Sequence, residues 1–282
     1  METNGEICLK RNVKMNEHKS RLLLFLRTKL GRIVMAAFFD DKSIEDKRKW
    51  HEEEVKASQA YKQSSAYMMN LIEDFKKGLY VIPLATSRDY TLYKESALMF
   101  ACTDLVGSVT AIDIVSREVM LNASKRELRY MLEAVIKYAA VDQICQGEKL
   151  EDKLDYLYTK IPRSSISPID ELKGLTELMV ADTKELYSLL SQFIHPSKKQ
   201  ITEYKLQYEK GNIGFDTHKE LDSFNRLLFR TFDTILYLLL KNMGYYVTKD
   251  VFYILSDDKK WKFFKGKYVK TLPNKYREDL SK

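Results

Sequence analysis

Glycine and proline are scarce in this chain, ten and five among 282 residues. Disordered, collagen-like and turn-rich all-β architectures draw on both, so each is disfavoured. Cysteine is equally sparse. Cys8, Cys102 and Cys145 form an odd, widely spaced set that suggests neither a disulfide framework nor a zinc cage. A reducing compartment fits best, and the protein is expected to be cytoplasmic. Long apolar runs are missing as well. Stretches such as Leu22–Leu26, Ile33–Phe39 and Ile235–Leu240 hold five, seven and six residues, against about 20 for a spanning helix. Arg27 and Lys29 follow the first stretch at once, which argues against a signal peptide. No membrane partner is expected.

Familiar catalytic signatures are also absent. There is no P-loop, dinucleotide fingerprint or nucleophile elbow. The four histidines (His18, His51, His195 and His218) are isolated in sequence. His51 precedes Glu52, Glu53 and Glu54, but no second histidine follows one helical turn later, so these carboxylates read as a solvated helix face. Neither a metal nor a cofactor is expected.

What the chain does have is apolar content, 45% of its residues, in helical patterns. Ser43 to Lys77 predicts one long helix, followed by an extended linker at Leu79–Leu84 around Pro83. Lys94 to Arg117 and Lys125 to Gln146 predict two more helices, the second capped by Ser124. Asp182 with Glu185 resembles a capping box, and Leu186, Leu189, Leu190 and Phe193 form a stripe that ends at Pro196. The strongest element begins at Thr217 and Glu220, which have capping-box spacing. Its face is Leu221, Phe224, Leu228, Phe232, Ile235, Leu239 and Met243, and Gly244 supplies the stop. Asp222, Arg226, Arg230, Asp233 and Tyr237 make a polar stripe opposite much of that face, and their mixed signs favour solvent or a helix–helix contact over a phosphate channel. The expected class is all-α. Residues 1–83 form an N-terminal helical extension, 84–245 a four-helix bundle, and 246–282 a small basic aromatic appendage. In the last region Val251–Leu255 is β-prone and Ser256-Asp257-Asp258 is turn-like, so a hairpin is expected.

Charge is concentrated there. Lys259 to Arg277 holds eight basic residues and no acidic one, which exceeds the net +7 of the whole chain. Lys260, Lys262, Lys265 and Lys267 are interleaved with Trp261, Phe264 and Tyr268. Cations that neutralise phosphates beside aromatic faces that stack bases are the usual grip on single-stranded nucleic acid. Two uses stay open: these residues hold RNA or another single strand, or the aromatics pack on the bundle while the lysines guard an edge.

Two further groups carry possible chemistry. On a helical wheel His195 lies about 180° from Leu186, beside Lys184, Ser188 and Ser191. There it can act as an acid or base near neutral pH, or simply favour a helix C-terminus. Arg129 and Glu133 are one turn apart at the edge of an apolar face, where a glutamate-held arginine can present its fork to phosphate or serve as a salt bridge.

Three pieces taken in order resemble the HEPN superfamily of helical-bundle proteins, common in toxin–antitoxin and phage-defence systems. They are Arg126-Glu-Leu-Arg-Tyr-Met-Leu-Glu133, the helix ending Leu189-Leu-Ser-Gln-Phe-Ile-His195-Pro, and the long closing helix. The resemblance covers about residues 94–243. It implies a homodimeric bundle and, in active members, metal-independent RNA cleavage at a dimer cleft. His195 would then transfer a proton or contact phosphate, Arg129 would stabilise charge and Glu133 would orient it. Active members carry an arginine four to six residues before the histidine. Here Ser188 to Gln192 contains none. Arg129 or Arg226 would have to substitute from another helix, or the bundle is a non-catalytic module that dimerises or holds a protein partner.

Overall fold

A computed structural model describes the backbone of residues 41–274, apart from positions 119, 164, 195–197, 199, 203–204, 206–216 and 257–260. Its α-helices are α1 (Asp41–Ala57), α2 (Gln59–Thr86), α3 (Tyr90–Glu95), α4 (Ala97–Arg117), α5 (Leu121–Ile144), α6 (Leu150–Lys160), α7 (Glu177–Ser191), α8 (His218–Met243) and α9 (Tyr245–Ser256). Short 3₁₀ turns occupy Ser167–Glu171, Lys262–Lys265 and Val269–Thr271. No strand occurs among the described residues, and the protein is all-α. The chain divides into two compact units between Glu54 and Val55, and α2 to α9 all belong to the second.

The helix with the clearest sequence signature sits at the centre of that unit. Glu220 accepts a hydrogen bond from the Thr217 amide at 2.5 Å, closing the expected capping box, and Gly244 ends α8 at φ 87°, a conformation that favours glycine. Every residue from Thr231 to Leu240 is buried. A helix covered on all sides must be central. It packs against α2, α5 and α9, while α4 lies on α5 and α2, and α7 lies on α5. The Phe75 and Phe232 rings stack at 3.8 Å between α2 and α8. One carboxylate joins several of the remaining pieces. Asp142 of α5 accepts from the Ala97 and Leu98 amides and the Ser96 hydroxyl at the start of α4, and pairs with the buried Lys153 of α6 at 3.0 Å.

By length and composition α4 is apolar enough to cross a membrane, the one such helix among those described. Half of that stretch is nevertheless buried inside the protein, with Leu98, Leu105, Val109 and Ile112 fully enclosed. It also carries Asp104 and Asp113. Its enclosed side chains belong to the hydrophobic core.

Several boundaries differ from expectation. The helix expected from Ser43 to Lys77 is two, because the Ser58 backbone turns extended (ψ 128°) between α1 and α2. Leu79–Leu84 is not an extended linker. It continues α2, with Leu79 and Ile82 buried; Pro83 falls in the last turn, where its missing N–H forfeits one bond, to the Leu79 carbonyl, and burial of the flanking side chains outweighs that loss. Helix α7 starts five residues before Asp182, where the Thr176 hydroxyl accepts from the Met179 amide at 3.2 Å.

The largest correction is at the C-terminus, where no hairpin occurs among the described residues. Residues Val247, Val251 and Leu255 are spaced four apart and bury one face of α9. Burial of that stripe outweighs the β-propensity of its valines. Beyond α9 the chain folds back in 3₁₀ turns, and two buried carboxylates receive its amides. Asp74 of α2 accepts from the Lys262 amide at 3.0 Å, and its carbonyl oxygen accepts from the Trp261 indole at 2.7 Å. Asp233 of α8 accepts from the Tyr268 and Val269 amides at 2.8 and 3.1 Å. A Cβ on Gly266 would lie 1.9 Å from the Asp233 Oδ1, so only glycine fits against that carboxylate. Trp261, Phe263, Val269 and Leu272 are all core residues.

Candidate functional site

The predicted pair Arg129 and Glu133 lies where α5 meets α7, and it is part of a larger polar cluster. Arg129 Nη1 is 3.2 Å from Glu133, its Nη2 donates to the Tyr187 hydroxyl at 2.5 Å, and its Nε donates to Ser191 Oγ at 3.1 Å. Tyr187 donates onward to Glu133 at 3.0 Å, and the Arg129 guanidinium also lies over the Tyr187 ring, 4.7 Å from its centroid. Lys137 bridges Glu133 at 2.5 Å and the Arg163 carbonyl at 2.6 Å. Burial, together with the neighbouring Glu133 carboxylate, pushes the Tyr187 phenol above its ordinary value. Tyr187 is therefore a neutral donor at physiological pH.

Each of the three Arg129 nitrogens thus has a partner. The cluster pins α5 to α7 near the end of α7. One turn earlier on α5, Arg126 donates to the Phe193 carbonyl at 2.8 Å, and the Lys125 ammonium sits 4.1 Å from the Phe193 ring centroid. Both cations therefore hold the chain two residues before His195. His195 itself lies outside the described residues, as does Lys260.

Sequence reasoning identified Arg129 and Glu133 but missed Tyr187, Ser191 and Lys137. Lys137 was readable, since Glu133 and Lys137 have the favourable i, i+4 order. Tyr187 and Ser191 were not, because they belong to a helix that only the tertiary fold brings near.

The basic aromatic residues divide by depth. Trp261 is only 1% exposed and donates its indole N–H to the protein, so its ring offers no face for a base. Phe264 is half-buried against Trp261 and Phe252, at centroid distances of 4.9 and 5.5 Å. Tyr268 is half-buried, and its hydroxyl donates to Asp182 of α7, which also receives Lys267. These two hydrogen bonds, the Lys267 one foremost, hold the Asp182 carboxyl below its usual range. Lys265 is exposed, and the Lys262 ammonium lies 5.2 Å from the Tyr67 ring centroid. The segment is therefore an internal anchor that presents cations outward.

Among the described residues no group of histidine, cysteine, aspartate and glutamate is placed to hold a metal ion. Compared with known protein families, curated proteins and solved structures, the chain matches none.

Proposed function

We propose that this chain is a HEPN-like RNA-binding bundle of the toxin or defence type, acting as a homodimer. The observation that carries this reading is the seating of the C-terminal segment. Trp261 and Phe263 are sunk in the core while Lys265 and Lys270 stay exposed and Lys262 lies half-exposed beside Tyr67. Cations on an ordered support can meet successive phosphates without first being immobilised. A cytoplasmic setting goes with it, since Cys102 and Cys145 are both free thiols.

If the bundle also cleaves RNA, His195 is the proposed proton-transfer group, Arg129 the charge stabiliser and Glu133 its orienter. A labelled single-stranded RNA tests both levels. Binding should weaken in Lys262→Ala/Lys265→Ala/Lys270→Ala, with the salt slope flattened by roughly 0.7 for each phosphate no longer neutralised. Unchanged affinity would remove the segment from the interface. Cleavage should persist in a chelator and vanish in His195→Ala; a fully active mutant would remove that assignment.

A second reading, a non-catalytic module that holds a protein partner, is favoured by one observation. The Arg129 guanidinium engages Glu133, Tyr187 and Ser191 through all three nitrogens, which gives it a structural task in joining α5 to α7. Inactivity on several RNAs together with a stoichiometric complex isolated from cells would decide for it.

A further inference from the structure

Away from the Arg129 cluster, a groove of about 630 Å³ lies between α2 and the first half of α8. That volume is in the range of small-molecule sites, roughly 300–1,000 Å³. Its lining combines cations, an aromatic face and an unsatisfied buried acceptor.

Arg226 and Arg230 stand one turn apart on α8, and both are exposed. Arg226 forms no ion pair among the described residues. Arg230 meets the exposed Glu185 at 3.6 Å, a contact of little strength. The rim gains a third cation from Lys262, above Tyr67. One carboxylate, Asp222, also lines the groove, and it accepts the Ser64 hydroxyl. Positive charge therefore prevails, and two neighbouring guanidinium forks are open to an anion.

Tyr67 supplies the aromatic surface, 42% exposed on the α2 side. Phe229, on the α8 side, is held from behind by a parallel stack on Phe263 at 5.5 Å. Asn225 supplies the third feature. Its side chain is 3% exposed and lines the groove, and its Nδ2 donates to the Ser64 carbonyl at 2.8 Å. Its Oδ1 is enclosed and has no hydrogen-bond partner among the described residues. Buried acceptors are rarely left so, and the enclosed atom marks a polar point in the groove wall.

We propose that this groove binds one nucleotide unit, with the phosphate held by Arg226 and Arg230 and the base against Tyr67. Phosphate and flat aromatic ring occur together in a nucleotide. Inorganic phosphate has only the first of them. The inference rests on the RNA-binding reading for its natural source, a single strand continuing onto the lysines beside Lys262. A free nucleotide carries the same chemistry.

The test uses the full chain and two probes, a labelled single-stranded RNA and adenosine 5′-monophosphate, with far-UV circular dichroism as a check on folding. Arg226→Gln/Arg230→Gln should lower RNA affinity about tenfold or more and flatten the salt slope, by roughly 0.7 for each phosphate released. Tyr67→Leu should lower affinity at least fivefold at an unchanged slope, and Tyr67→Phe should restore it, since stacking needs the ring and not the hydroxyl. If RNA binds the wild type but none of these variants matters, the groove proposal is overturned while RNA binding stands. Failure to bind RNA together with arginine-dependent binding of the monophosphate would overturn the RNA reading and leave the groove as a free-nucleotide site. If inorganic phosphate competes as well as the monophosphate, the base contact is wrong. Should neither probe bind, both ideas fall.

Discussion

Arg129 on α5 and the pair Arg226 and Arg230 on α8 look alike in sequence, each an arginine beside an apolar helix face with acids nearby. Their surroundings differ. Arg129 is 19% exposed and every nitrogen has an internal partner, whereas Arg226 is exposed with no ion pair among the described residues. The first is spent on joining two helices; the second is available to a ligand. A helical wheel does not separate the two, because availability depends on what the neighbouring helix brings. On α8 itself the polar stripe is split. Its Arg226 and Arg230 end stays open, while Asp233 and Tyr237 are buried at the other end, where Asp233 receives the amides of the returning C-terminal segment.

Removing that cover should have the largest effect. Gly266→Ala forces a methyl against Asp233 and should unseat Trp261 and Phe263, at a cost of about 3–5 kcal/mol, comparable to deleting a buried aromatic. Denaturant unfolding should show it, and blue-shifted Trp261 fluorescence should be lost. Next, Arg129→Met should destabilise by about 2–3 kcal/mol through the buried partners it abandons; on the non-catalytic reading RNA affinity stays unchanged. A matching loss of RNA affinity at full stability would favour Arg129 as the proposed charge stabiliser instead. Arg226→Gln should do the reverse, shifting stability by under about 0.5 kcal/mol while weakening RNA binding.

The smallest effect concerns pH. Lys267 and Tyr268 hold the Asp182 carboxyl below its unfolded value of about 3.9, so its contribution is full above that pH and is lost as pH falls through the folded value. Burial pushes Asp233 the other way, so its ionisation opposes docking as pH rises past the unfolded value. In a Trp50→Phe background, acidification below about pH 4 should loosen the segment around Trp261, and adding Asp182→Asn should abolish that step. Identical titrations would show that Asp182 does not tie the segment down.

Parts of this fold were legible because their signals are local. The capping box of Thr217 and Glu220, the Gly244 stop and the apolar faces of α4, α5 and α8 each lie within a few turns of chain. The C-terminal helix was misread as part of a hairpin: the β-propensity of Val251 to Leu255 masked the four-residue spacing of Val247, Val251 and Leu255 that buries one helix face. Pro83 misleads for a similar reason: it punctuates a sequence, yet the last turn of a buried helix tolerates it. Of the candidate site, the Arg129–Glu133 pair was readable from i, i+4 spacing, and its partners on α7 were not.

By itself, the sequence determined that this protein is helical, that α8 would be its dominant rod, and that its cations gather near the C-terminus, since propensity, period and charge are properties of neighbours along the chain. Only the tertiary structure decided which polar groups are consumed and which stay free. Asp74 and Asp233 became anchors, Arg129 a pin and Arg226 an open fork, because burial and hydrogen-bond pairing are fixed by residues far apart in the chain meeting across helices.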